Sequence, residues 1–421
     1  MVAAHRFTAY ALLVTILLQS IANHCTGVNG AIEFAAWLCY NPARGAARMD
    51  AGAPAGMATV TRTTALLLVM PPAGAWVRPA WDAFIPALQQ RGQAVVVFTG
   101  NAFPRCAAGD VERVRTAEEL ARHPYLPVPA CRLADLRAHG AALHARLEQM
   151  RCTELYVWGD AAAMQFAARC ALWCREHALP YRVIGVPACP FNSVPFTDHS
   201  LGFASALRWC AGMARSLLAA TVRGRRQTPL GVLEIQGDRW GWLSAGAAAL
   251  AGDGARVLCL PPQGAWDFKA LVAEVQRTLA RHGTALVVGG AWNDPAGALV
   301  RGGEHDGCGA LAHALHEHIG VQPLAAQVRP GECCDEGAVS ARDEQDARRA
   351  GRAAARSGRN AREGVLVINT RSANAGAAGR YATTALSEAV GTPRALPERF
   401  MHLRTFRTTA ALAAQLTTLL L

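Results

Sequence analysis

The residues with the most chemical potential cluster between Val183 and Trp209, in VIGVPACPFNSVPFTDHSLGFASALRW. Asp198 and His199 are adjacent there, and a carboxylate beside an imidazole is a minimal set for moving a proton. The same two residues serve structure as readily, Asp198 as a helix cap and His199 as an interior hydrogen-bond partner, and that assignment is preferred. A further carboxylate, Asp160, ends the run LYVWGD, where a lone aspartate after a strand is commonly a helix N-cap. Cys170 and Cys174 lie four apart near His177, and Cys333 and Cys334 are adjacent. Neither set makes two CxxC-like pairs, so small buried thiols are expected rather than a zinc site.

These residues need a scaffold, and the chain supplies an alternating one from Thr64 onward. TALLLVM (64–70), the helical stretch 80–90 and AVVVFTG (94–100) follow in βαβ order, which predicts a parallel sheet covered on both faces. The rhythm recurs as a strand at 155–160, a helix at 161–177 and a strand at 181–187. A second block reads as strand, glycine turn and helix over 231–250, with strands at 256–261 and 284–290. The expected class is α/β, with function at the carboxyl ends of the strands. The charged segment 342–362 is expected to be a solvated helix with mixed charge pairs.

The segment around Asp198 resembles the pyrophosphate-dependent branch of the 6-phosphofructokinases, which reads G-x-P-K-T-I-D-N-D-x-x-x-T-D-H-x-x-G-F-x-S-A. Gly185, Pro187, Asn192, Thr197, Asp198, His199, Gly202, Phe203, Ser205 and Ala206 match it, while Ala188 replaces the lysine and Phe191 and Ser193 replace the two aspartates. The resemblance extends from about Thr64 to Leu421 and implies two Rossmann-like lobes with mostly parallel sheets, the phosphofructokinase fold. It implies phosphoryl transfer to fructose 6-phosphate from pyrophosphate or ATP, with Mg2+ if the protein is active.

Mapped through that resemblance, Arg132 in PACRLAD, Gly159 and Arg239 are the candidates for phosphate contact. Asn192 and Gly237 are the substrate candidates, Asp160 is the candidate metal ligand, and Asp198 is the remaining candidate base. The first loop reads VMPPAG, with Pro71 and Pro72 where the family has paired glycines, and proline lacks the N–H that cradles a phosphate. In QGDRW, Asp238 stands for the family's arginine and is expected to repel a phosphate. Gly289 and Gly290 stand where the family grips the sugar with a glutamate. Losing the base costs about 10²–10⁴ in rate. The reading is therefore a catalytically impaired pseudoenzyme with a regulatory or partner-subunit role; the alternative is an active magnesium-dependent enzyme making fructose 1,6-bisphosphate. Partners expected are a sugar phosphate or other phosphorylated metabolite, and a homodimer or a hetero-oligomer with an active phosphofructokinase.

Composition bounds the rest. With 421 residues, 52% hydrophobic and 17% charged, the chain buries a sizeable core. The net charge of +11 does not signal nucleic-acid binding, because only Lys269 among 42 basic residues is lysine, a bias that follows coding composition, so no nucleic acid is expected. Thirteen cysteines without repeated spacing argue for reduced thiols and a cytoplasmic protein. The apolar run 7–21 is shorter than the roughly 18 residues of a membrane span. Residues 1–60 are expected to be an extension, with Met49 or Met57 as the start rather than Met1, and residues 63–421 to form a domain of two interleaved α/β lobes.

Overall fold

A computed structural model of the chain describes residues 63–69, 75–99, 103, 110–122, 133–261, 266–290, 307–330, 339–360, 364–370, 380–389 and 391–420. The expected extension 1–60, with the run 7–21 and both alternative starts, lies outside the described residues, as do Pro71, Pro72, Arg132, Cys333 and Cys334.

In chain order the elements are β1 (Thr64–Val69), α1 (Arg78–Gln90), β2 (Ala94–Phe98), β3 (Val111–Val114), α2 (Ala117–Ala121), α3 (Leu133–Gln149), β4 (Cys152–Gly159), α4 (Ala161–Glu176) and β5 (Arg182–Pro187). Helix α5 (Phe203–Arg223) then leads to a second set: β6 (Leu230–Ile235), α6 (Trp242–Ala249), β7 (Val257–Cys259), α7 (Phe268–His282), β8 (Ala285–Gly289), α8 (Gly307–Ile319) and β9 (Pro323–Val328). The chain returns to the first sheet through α9 (Ala341–Asn360), β10 (Val365–Thr370) and β11 (Arg380–Ala385), and closes with a short β12–β13 pair (Met401–His402, Arg407–Thr408) and α10 (Ala410–Leu420).

The larger sheet has the order β11-β10-β5-β4-β1-β2-β3 and the smaller β7-β8-β6-β9. All pairings in the smaller sheet are parallel, as are those in the centre of the larger one, whose outer pairs β10–β11 and β2–β3 are antiparallel. This is the expected class of two α/β lobes with mostly parallel sheets.

Strands of such a sheet are buried on both faces, which explains the unbroken apolar run of β1. Leu66, Leu68, Leu155 and Val157 pack with Met164, Phe166 and Trp173 of α4. Ala65, Leu67, Tyr156 and Trp158 pack on the other face with Trp81 and Phe84 of α1 and Ala347 and Ala354 of α9. Phe84 meets Tyr156 and Trp158 edge-on, with centroids 4.7 and 5.4 Å apart, contacts worth about 0.5–1.5 kcal/mol each beyond burial. In both sheets the chain adds strands to one side of the first strand and then to the other, beside β1 and β6. A crevice at the carboxyl ends follows from that reversal.

One difference from the sequence reading concerns charge. Helix α9 carries the expected mixed charge pairs, among them Arg348–Glu344 and Arg342–Asp346, but it is not solvated all round, because Asp343 and Asp346 are wholly buried and face the core. At the opposite end of the sheet from the crevice, Glu154 is also wholly buried and accepts from Arg91 Nη2 (2.6 Å), Arg182 Nη2 (2.9 Å) and the Tyr156 hydroxyl (2.6 Å). Glu154→Ala strands two arginines around an empty position, and a loss of about 3–5 kcal/mol is expected, read as a lowered denaturation midpoint in urea. A shift near zero contradicts the pairing.

Candidate functional site

The loop from β5 to α5 is folded against its neighbours by backbone hydrogen bonds: Ala188 N–H donates to Gly159 O (2.8 Å) and Cys189 N–H to Leu201 O (2.9 Å). Gly159 thus spends its carbonyl on the loop. Asn192 and Phe196 are held at φ +54° and +63°, a left-handed conformation that costs a non-glycine residue roughly 1–3 kcal/mol and persists only where surrounding contacts enforce it. Asn192 is buried, and its Oδ1 accepts from Ser200 N–H (3.1 Å). Phe196 stands 57% exposed.

The later part of the loop is anchored by α9. His199 is buried with its Nε2 3.0 Å from Asp346 Oδ2, and Arg342 Nε donates to the same oxygen (2.8 Å). Burial opposes charge on Asp346, but His199 and Arg342 outweigh it and hold the carboxyl below its ordinary range. Asp343 accepts from Gly202 N–H (3.1 Å) and Ser205 N–H (2.5 Å), capping α5 from another element. Burial pushes the Asp343 carboxyl up against these donors. His199 is the interior partner the sequence suggested. Asp198 is not the cap: α5 starts at Phe203 after Gly202, and Asp343 supplies the carboxylate. Asp198 is exposed, its N–H donating to Asn369 O (2.9 Å).

The turn after β6 carries Gly237 at φ +78°, and a Cβ there would lie 3.0 Å from Phe191 Cζ. Phe191 therefore lies over this turn and packs against the core of the second lobe. Asp238 does not face a ligand as expected. It is wholly buried and accepts from Gly241 N–H (3.0 Å), Ser244 N–H (2.7 Å) and Ser244 Oγ–H (2.7 Å), which makes it the cap of α6. Burial raises its pKa against those donors. A Cβ at Gly290 would come within 2.0 Å of Asp238 O, so the end of β8 sits directly on the same turn. Arg239 is exposed, with no side-chain partner among the described residues.

Asp160 is the N-cap of α4; its Oδ1 accepts from Ala163 N–H (2.9 Å), and burial raises its pKa. Magnesium needs an octahedron of oxygens, part of it from carboxylates. Here one carboxylate already serves as a cap, Ala161 and Ala162 follow it, and among the described residues no group of three or more His, Cys, Asp or Glu is placed to hold a metal. Asp160 is the one carboxylate left at these positions, so magnesium here would rest on that group together with water and substrate phosphates. Arg132 lies outside the described residues.

Two arginines escaped the sequence reading. Arg394 Nη1 donates to Thr197 O (2.6 Å) and Asp198 O (2.8 Å), its guanidinium lies 4.3 Å from the Trp242 ring centre, and its N–H donates to Ser193 O (2.7 Å). Burial chiefly lowers its pKa to about 10, with Asp198 opposing and Arg399 assisting. Arg329, just beyond β9, is exposed and donates through Nε to Gln236 Oε1 (3.1 Å). Each stands at a strand end or a loop far along the chain, and no local pattern marks it.

Asp346→Asn keeps the shape and removes the anion. A loss of about 3–5 kcal/mol is expected at pH 7. A depressed carboxyl stabilises above its unfolded value of about 3.9, and that contribution is lost as the pH falls from there through the lower folded value. The gap between variant and wild type should therefore close below about pH 4 in a series of denaturant titrations; a gap unchanged with pH contradicts the ion pair.

A family model described as phosphofructokinase matches residues 131–357. A pyrophosphate–fructose 6-phosphate 1-phosphotransferase of Xanthomonas campestris pv. campestris (strain B100) is 31% identical over 223 residues, 50% of this chain and 52% of the relative. A sulfofructose kinase of Alkalicoccus urumqiensis is 25% identical over 203 residues, 46% of this chain and 52% of that protein. The chain thus spans about half the length of the curated relatives it matches. The pyrophosphate-dependent phosphofructokinase structure from Nitrosospira multiformis superposes with a TM-score of 0.72 at 18% identity, covering 86% of this chain and 92% of that one. Phosphofructokinase from Saccharomyces cerevisiae gives 0.57 at 13% identity, over 86% of this chain and 48% of that one. With the family match covering more than half of its residues, this chain belongs to the phosphofructokinase family.

Proposed function

We propose that this family member has lost ordinary phosphoryl transfer and acts as a pseudoenzyme, a regulatory or partner subunit that binds a phosphorylated metabolite. The observation that carries the reading is Phe191. It stands at one of the two positions where the family resemblance puts the catalytic aspartates, and its ring lies over Gly237, in the turn where the resemblance puts the sugar phosphate. An aromatic ring neither accepts a proton nor binds a metal, and here it also takes up room beside the substrate turn.

Four other carboxylates near the site serve structure, which supports the same conclusion. Asp160, Asp238 and Asp343 accept from helix N-termini, and Asp346 is engaged by His199 and Arg342. Oxygens held by fixed donors are poorly placed to reach a substrate hydroxyl. Anion-holding capacity is better preserved, in the exposed Arg239 and Arg329 near the ends of β6 and β9. Residues 63–421 are taken as the phosphofructokinase-like domain, preceded by the extension 1–60. The preferred assembly is a homodimer or a hetero-oligomer with an active phosphofructokinase in the cytoplasm. Seven described cysteines carry free, buried thiols, and no described helix is long and apolar enough to cross a membrane.

The test is fructose 1,6-bisphosphate formation by the full chain at high protein concentration, with magnesium, fructose 6-phosphate and either pyrophosphate or ATP. No product above the protein-free control is expected, alongside saturable fructose 6-phosphate binding by calorimetry that Arg329→Ala weakens about tenfold. Turnover that Asp160→Ala abolishes overturns the pseudoenzyme reading and identifies the phosphoryl donor.

A further inference from the structure

A cavity of about 510 Å3 opens at the other end of the larger sheet, between the carboxyl-terminal half of α4 and the starts of β5 and β10. Its walls include Ala171, Leu172, Leu179, Val183 and Leu386, and Arg175 is the one charged residue among those lining it. Beta strand β5 is six residues long, so the cavity lies about 20 Å from the candidate site at that strand's far end. It belongs to neither the loops nor the arginines described above.

Three features suit a small ligand. The volume lies in the range of about 300–1,000 Å3 typical of pockets that enclose small molecules. The walls are mainly alanine and leucine, so the favourable contribution is burial of an apolar body. Arg175 is exposed at the rim and no carboxylate is among the described residues lining the space, so an anionic group is attracted. The backbone shape is also enforced: Ala178 sits at φ +50° where glycine is usual, and Leu179 N–H donates to Cys174 O (2.8 Å), closing the end of α4. That turn points the Ala178 and Leu179 positions at the cavity.

We infer that this cavity is a second ligand site, for a small molecule with an apolar body and one anionic group held by Arg175. It is spatially separate from the sugar-phosphate site, so its occupancy does not require that the preceding functional reading hold.

The test uses two probes of one shape on the full chain. 8-Anilinonaphthalene-1-sulfonate carries an anion, and N-phenyl-1-naphthylamine is its neutral counterpart. Fluorescence titration is expected to give one saturable site for each. Arg175→Ala should weaken the sulfonate about tenfold and leave the neutral probe unchanged. Ala385→Trp, which fills the cavity from the exposed edge strand β11, should abolish both while the circular dichroism spectrum and thermal midpoint match the wild type. Fructose 6-phosphate should displace neither probe. Non-saturable binding, binding indifferent to both variants, displacement by fructose 6-phosphate, or a change in oligomeric state on Ala385→Trp overturns the inference, the last by making this face a subunit interface.

Discussion

A carboxylate cannot be left unpaired in a protein core, and that constraint organises this molecule. Asp343 and Asp346 enter the core on α9; Asp343 accepts from Gly202 and Ser205 at the start of α5, and Asp346 from His199 of the preceding loop and from Arg342 of its own helix. The segment is thereby pinned to a helix more than a hundred residues away. Its two strained residues, Asn192 and Phe196, are tolerable because this anchorage leaves the backbone little alternative.

Once that loop is fixed, the remaining contacts follow as consequences. Phe191 is delivered onto the turn at Gly237, and the end of β8 closes on the same turn because position 290 has no side chain. Arg394 then ties the loop to Trp242 of the second lobe through two carbonyls and an aromatic face. The region is therefore held by internal hydrogen bonds and packing, with Asp160, Asp238 and Asp343 acting as caps. Scaffolds of this kind keep the positions that fold the chain even where those that perform chemistry have changed.

The charge distribution has the same origin. Many arginines are exposed, while several acids are buried and satisfied by backbone donors or guanidinium groups, as with Glu154 between Arg91 and Arg182. A sequence count of charges treats both signs as solvated. Burial makes the acids structural and leaves the exposed cations as the groups available to an anionic ligand.

Much of the architecture was legible in the residues alone. Unbroken apolar runs such as TALLLV specify strands buried on both faces, and the alternation with helices specifies parallel order. The matched frame from Gly185 to Ala206 carried the family, and the substitutions at Ala188, Phe191 and Ser193 were visible with it. The role of each remaining acid was decided only in three dimensions. Asp238 looked like a residue turned toward a phosphate, and the cap of α6 claims it; Asp198 looked like a cap, and Asp343 fills that role from 141 positions away from Gly202. Local spacing reports which side chains are near in sequence, whereas a buried carboxylate is assigned by whichever donors the packed helices bring to it.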